Sequence, residues 1–392
     1  MAVGERESGW AGIPDLARRD GEKWHGVGEG VVSAWVADMD FAPAPAVREA
    51  LSRRSATDLG YPAWFDQSDG GPLGEIYAAR TSRLFGHSPV AEYVRLFTDI
   101  NHALGVTLHV ATQPGDAVLL QTPATPPFTD VISRLGRRPT TVPMVRAGDR
   151  WVADLDEIET RVLREGCRVL FLVNPHNPTG HVYERTELER LAEIACRHGL
   201  LVVSDEVHAE LTYEPHRHIP FASLSAEVAD RTVTLTSGSK AFNLAGIRCA
   251  VAHVGARAVR KALDAQHGLL FGQVGVLAVE ALKAAWTGSD DWLTEIRGRL
   301  ARNRQRLSQD LSPRIGFAMP DATYLAWLDC RELGVGDAPW TYFREQARVL
   351  LFDGTSFGAQ GRGFVRLNFA TPETVLDVMI DRINNAVEAL PS

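Results

Sequence analysis

Along the middle of the chain, short apolar runs alternate with stretches whose apolar residues recur at helical spacing. Four runs stand out: Asp116-Ala-Val-Leu-Leu-Gln121, Arg168-Val-Leu-Phe-Leu-Val173, Gly199-Leu-Leu-Val-Val-Ser204 and Arg231-Thr-Val-Thr-Leu-Thr236. Continuous rather than alternating apolarity marks strands covered on both faces, as those of parallel sheets are. Residues 186–197 put Leu188, Leu191, Ala192 and Ala195 on one side and Glu187, Glu189, Arg190, Glu193 and Arg197 elsewhere, the pattern of a helix lying on such a sheet. The alternation predicts an α/β fold, a mostly parallel sheet covered by helices.

Each run breaks off in a polar or Pro/Gly-rich cluster: Thr122-Pro-Ala-Thr125, Asn174-Pro-His-Asn-Pro-Thr-Gly180, Asp205-Glu-Val-His208 and Ser237-Gly-Ser-Lys240. Ligands of open α/β sheets bind beyond the carboxyl ends of the strands, so the four clusters are expected to converge on one pocket. From about residue 291 the pattern changes to a long charged helix over 292–311, a strand at 324–328, a helix near 340–348 and a strand at 364–369. That reads as an α+β end domain. The expected organisation is a large domain over 45–290 and a small domain made of 1–44 and 291–392, which suits 392 residues at roughly 150 per domain.

Two of the clusters carry chemistry. Asp205 directly follows an apolar strand, where a carboxylate without a partner is costly to bury. Lys240 follows the next strand, behind the hydroxyls of Ser237 and Ser239. A buried lysine gives up its proton readily and can form a Schiff base, while hydroxyls and backbone amides can hold a phosphate. Carboxylate, imine-forming lysine and phosphate cradle together describe a pyridoxal phosphate site, in which the carboxylate keeps the pyridine nitrogen protonated and the ring accepts electrons from the substrate's Cα. Taken singly, an Asp after a strand is more often a helix cap and Ser-x-Ser-Lys a common loop; their order, downstream of Asn-Pro-x-Asn-Pro-Thr-Gly, joins them into one site.

Composition narrows the choice. Only four lysines, Lys23, Lys240, Lys261 and Lys283, stand among 41 basic residues. The first and the last two have polar or helical surroundings and are expected on solvated surface, which leaves Lys240. The four cysteines lack CxxC or metal-ligand spacing and are expected to be reduced and structural, with no metal bound. A formal charge of -8 disfavours nucleic acid as a partner. No apolar stretch approaches the ~20 residues of a membrane span, and MAVGERESGW lacks the apolar core of a targeting peptide, so a cytoplasmic protein is expected.

On these residues the sequence resembles the fold-type I pyridoxal phosphate enzymes, and among them the MalY/PatB group of cystathionine β-lyase-like C–S lyases. The likeness spans nearly the whole chain and is carried by Trp35-Val-Ala-Asp-Met-Asp-Phe41, Gly60-Tyr61-Pro62, the Asn174 to Gly180 loop, Ser204-Asp-Glu-Val-His208, Ser237-Gly-Ser-Lys-Ala-Phe-Asn243 with Ala245-Gly246, and Phe364-Val-Arg-Leu-Asn368. The spacings of 28 residues from Asn177 to Asp205 and 35 from Asp205 to Lys240 resemble the same group.

The resemblance implies a mostly parallel seven-stranded sheet in the large domain and a homodimer with shared active sites. It also implies roles. Lys240 would carry the Schiff base and then act as the base at Cα. Asp205 would pair with the pyridinium, and Asn177 and His208 would bond the ring's phenolic oxygen. Ser237, Ser239 and Arg248 would face the phosphate, joined by Tyr61 of the neighbouring subunit. Arg366 would grip the substrate α-carboxylate, with Ala37 and Asn177 beside it. Each has a plainer alternative: core or capping for His208, packing for Tyr61, an exposed strand position for Arg366, core for the aromatic residues of 35–41.

Two departures from the group stand next to the reacting atoms. Thr125 occupies the position of a tyrosine that stacks on the cofactor ring. The phosphate-binding turn reads Asp99-Ile-Asn-His-Ala103, so Asp99 is expected to cap the helix or point away, leaving Asn101 and the helix amides as phosphate donors. The activity implied is β-elimination at a cysteine S-conjugate, giving thiol, pyruvate and ammonia. Relatives in secondary metabolism decarboxylate or oxidise such amino acids, and Thr125 with His102 nearby keeps that outcome open, beside transamination and a cofactor-holding regulator.

Overall fold

The computed structural model describes residues 11–64, 70–268 and 270–391; the amino-terminal decapeptide, on which the expectation about targeting rests, lies outside them. Seven strands form the larger sheet: β1 (Val94–Phe97), β2 (Ala117–Thr122), β3 (Arg138–Pro143), β4 (Cys167–Val173), β5 (Leu201–Asp205), β6 (Thr232–Thr236) and β7 (Ala250–Val254). Their spatial order is β1-β7-β6-β5-β4-β2-β3. Strand β7 runs antiparallel to both neighbours and every other pairing is parallel. The four runs read from the sequence are β2, β4, β5 and β6, side by side, so their carboxyl ends share one edge.

Successive side chains of a strand point to opposite faces. In β4, Val169 and Phe171 join one apolar cluster with Leu104 and Ile132, while Leu170 and Leu172 join another with Ile158, Leu188 and Leu191. Helices α1 (Ile100–Ala111) and α2 (Pro126–Arg134) cover the first face and α3 (Arg185–His198) the second. Each fully buried Leu, Val or Phe contributes roughly 1.5–3 kcal/mol, which accounts for runs apolar at every position. Helix α3 starts where the Glu187 carboxylate accepts the Glu184 N–H at 2.8 Å and stops at Gly199 with φ 64°.

A second, antiparallel sheet has the order β8 (Gly316–Phe317), β9 (Leu325–Asp329), β11 (Phe364–Asn368), β10 (Phe352–Asp353). Helices α4 (Asp290–Asp310) and α5 (Glu373–Glu388) pack on it through Leu300, Leu307, Leu376 and Ile380. The larger sheet lies wholly within 45–290 and the smaller within 291–392. The helix expected near 340–348 is one α turn, Pro339–Tyr342, followed by a wider π turn, Phe343–Ala347, that ends at Arg348 with φ 54°. Among the described residues no helix is long and apolar enough to cross a membrane.

The amino-terminal segment forms a separate two-stranded parallel sheet, Val32–Ser33 with Val349–Leu350. Residues 35–41 are then held by Asn243, just after the Lys240 turn, and by Asn368, the last residue of β11. The Asn243 amide donates to the carbonyls of Met39 and Phe41 at 3.0 Å each, and Asn368 to those of Val36 and Asp38 at 2.6 Å each. Here the expectation for Lys23 fails. It is buried, at 3% exposure, with Nζ 2.8 Å from the Asp40 carboxylate, whose other oxygen takes the Trp24 indole N–H at 2.7 Å. The partner that keeps it from solvent lies 17 residues on, outside the polar stretch around Lys23; breaking such a pair on one side costs about 3–5 kcal/mol. Lys261 and Lys283 are exposed, as expected.

Candidate active site

A cavity of about 280 Å³ opens at the carboxyl ends of the central strands. Of the twelve site residues named from the sequence, eleven line it; Tyr61 does not, and is 94% exposed on the chain.

Asp205 ends β5, and the turn that follows is fixed from behind by Glu206, whose buried carboxylate accepts from Ser204 Oγ at 2.9 Å, His218 Nε2 at 2.9 Å and the Phe221 N–H at 3.1 Å. One Asp205 oxygen accepts the Val207 N–H at 3.1 Å. Among the described residues no cation reaches ion-pair distance of Asp205; Lys240 acts on it only at longer range. Burial therefore pushes the carboxyl up to about 7, with Glu206 adding to the rise. His208, one turn on, is driven down to about 3 by burial and nearby cations and so stays neutral, and its buried Nδ1 has no partner.

This gives a sign for pH. A carboxyl whose folded value is raised from 3.8 to about 7 contributes stability at low pH that is lost as pH rises between those values. Cofactor-free Asp205→Asn is expected to melt above the parent protein at pH 8 and to lose that advantage toward pH 4. Melting curves of both forms across this range check it, and a parent protein as stable as the variant at pH 8 would contradict the assignment.

Lys240 lies in the single helical turn Gly238–Ala241 that follows β6. The Ser237 hydroxyl caps that turn, accepting the Ser239 N–H at 3.0 Å and donating to the Cys249 carbonyl at 2.6 Å. Ser237 also lines the cavity, beside Ser239. Lys240 Nζ donates to the Ala37 carbonyl at 2.9 Å, and the buried Tyr324 hydroxyl reaches the same carbonyl at 2.7 Å. Burial holds the amine below its ordinary value, against the pull of Asp38.

Arg366 is the central residue of β11 and 3% exposed, so the alternative of an exposed strand position is excluded. Nη1 donates to Asn177 Oδ1 at 3.2 Å and Nη2 to the Trp35 carbonyl at 3.0 Å, and the guanidinium lies 4.7 Å from the Phe352 ring centre and 5.1 Å from that of Phe357. The Asn177 loop is set by Gly180, at φ 73°, where a Cβ would overlap Pro320.

At the other end of the cavity α1 begins. Asp99 caps it as expected, Oδ1 accepting the His102 N–H at 2.9 Å, and its other oxygen pairs with Arg248 Nη2. Asn101 faces the cavity with Oδ1 buried and without a partner, and Thr125 faces it at the start of α2.

Sequence reasoning passed over Tyr324 and Phe352. Tyr324 heads a strand that was seen, but its hydrogen bond to residue 37 is set by folding alone. Phe352 sits opposite Arg366 in the β10–β11 register, a pairing with no local signal.

The residues fit pyridoxal phosphate. A buried carboxyl without a cation, a desolvated lysine and an orphaned imidazole nitrogen face one space, and a capped helix start with an arginine closes its far end. Residues 79–383 match the family described as Aminotransferase class I and II. The sequence is 32% identical over 378 residues to cystathionine beta-lyase PatB of Bacillus subtilis, covering 93% of this chain and 96% of that one. It is 30% identical over 370 residues to the protein MalY of Escherichia coli, covering 91% of each. Among solved structures, OvoB is similar with a TM-score of 0.88 at 32% identity, covering 95% of this chain and 97% of that chain. The PLP-bound C–S lyase from Staphylococcus hominis is similar with a TM-score of 0.85 at 27% identity, covering 92% and 94%. The chain belongs to the aminotransferase class I and II family, as a fold-type I pyridoxal phosphate enzyme of the group that holds the PatB and MalY proteins and the C–S lyases.

Proposed function

We propose that the protein cleaves the C–S bond of a cysteine S-conjugate by β-elimination, releasing a thiol, pyruvate and ammonia. The observation that carries this reading is that Lys240, Asp205 and Arg366 line one cavity. Similarity to a cystathionine beta-lyase and to a C–S lyase supports it.

Bound there, pyridoxal phosphate supplies an electron sink that makes the Cα proton acidic. Arg366 receives the substrate carboxylate: its two Nη groups already aim at oxygen acceptors, and the Phe352 and Phe357 rings fix the plane of the fork. Lys240, held at the Ala37 carbonyl and desolvated, is placed to take the proton from Cα. Asp205 would hold the pyridine nitrogen of the bound group in its protonated form, since a cation beside a buried carboxyl draws the carboxyl's pKa back down. The thiolate at Cβ is a good leaving group, so the protein's remaining task is to align the Cα–H and Cβ–S bonds.

Tyr61 belongs in this reading to the phosphate of a second copy of the chain, which makes the working form a homodimer; its exposure on the single chain supports that. A panel of S-substituted cysteines tests the function. Equal release of thiol and pyruvate is expected from at least one member. Carbon dioxide release or oxygen uptake without pyruvate would replace elimination with a decarboxylating or oxidising outcome, and retention of cofactor without turnover of any conjugate would favour a regulator.

A further inference from the structure

The Asp99–Arg248 pair does more than cap a helix. It lines the cofactor cavity on one side and, on the other, an open groove of about 830 Å³ that also carries His102 and Phe271. Both Asp99 oxygens are engaged. Oδ1 accepts the His102 N–H at 2.9 Å, and Oδ2 accepts from Thr98 Oγ1 at 3.2 Å and from Arg248 Nη2. A single carboxylate therefore occupies both an amide of the first turn of α1 and the arginine, the groups that would otherwise be offered to an anion. Arg248 remains 59% exposed along its side chain, so the pair is at the cavity mouth rather than in the core.

We infer that Asp99 is an internal anion that competes with the cofactor's phosphate for Arg248 and for the start of α1. In the cofactor-free protein it neutralises the arginine and closes this end of the cavity. When the phosphate arrives, a dianion meets a fixed carboxylate, and Arg248 must be shared or surrendered. Cofactor affinity is thereby set lower than the Lys240 and Asp205 contacts alone would make it, and the empty protein has a satisfied ion pair instead of an unpartnered cation. The inference rests on the reading that puts the phosphate at the start of α1.

The test titrates cofactor-free protein with pyridoxal phosphate and, separately, with pyridoxal, following the visible absorbance of the lysine-linked form. The parent protein is expected to bind pyridoxal phosphate more tightly than pyridoxal. Asp99→Asn and Asp99→Ser keep a good helix cap while removing the charge. Each is expected to tighten pyridoxal phosphate about tenfold, the scale of a partly solvated like charge a few ångströms away, and to leave pyridoxal unchanged. Arg248→Gln is expected to weaken pyridoxal phosphate alone. Unchanged or weaker binding of pyridoxal phosphate by both Asp99 variants would overturn the inference, leaving Asp99 as a cap and a holder of Arg248. Equal affinity of the parent protein for the two compounds would overturn the phosphate assignment itself, and the inference with it.

Discussion

Replacing Lys240 with alanine is expected to lower kcat by at least about 10³-fold, within the range that a positioned proton acceptor contributes, and to abolish the visible absorbance of the lysine-linked cofactor. Substitution by another lysine is precluded by where the others lie. Lys23 is locked into a buried pair with Asp40, and Lys261 and Lys283 are exposed on helices. Shortening the side chain also frees the Ala37 carbonyl, which keeps its bond from Tyr324, so the local fold has a remaining anchor. A small primary amine added to the variant is expected to restore part of the rate by entering the vacated space. Absorbance retained in the alanine variant would mean that the imine forms elsewhere and would refute the site.

Arg366→Lys is expected to reduce kcat/KM about 10²-fold, chiefly through KM, with the cofactor absorbance intact. The reason is geometric. A lysine keeps the charge but offers a single point in place of a planar fork, and it forfeits the stacking on Phe352 and Phe357. Its shorter reach also leaves Asn177 Oδ1 and the Trp35 carbonyl without their present donor. Steady-state kinetics across substrate concentration separate the two parameters. A variant with normal KM, or one that lost the cofactor instead, would show that Arg366 holds structure or cofactor rather than the substrate carboxylate.

Much of the fold was legible because its central strands are buried on both faces. Val169, Leu170, Phe171 and Leu172 must all be apolar when alternate residues face two different cores, and the polar clusters begin where that double burial ends. Asp205, Lys240 and their neighbours follow the same logic, since they stand at strand ends and are chemically unlike what precedes them. What escaped depends on contacts far apart in the chain. Lys23 looked solvated because Asp40 lies 17 residues away and their meeting depends on the path of residues 35–41. Phe352 acquires its place beside Arg366 only through strand register, and Tyr324 through the carbonyl of residue 37. The Ser237 hydroxyl finds the Cys249 carbonyl 12 residues on, a pairing that no motif encodes.

Which bond at the substrate breaks decides between elimination and its rivals. Product stoichiometry measured on one accepted cysteine S-conjugate, with thiol, pyruvate, ammonia, carbon dioxide and dissolved oxygen followed in the same reaction, addresses that most directly. One thiol, one pyruvate and one ammonia per substrate, with no carbon dioxide formed and no oxygen consumed, is the predicted result. Sulfur retained in a decarboxylated or oxidised product, with no pyruvate, would contradict it.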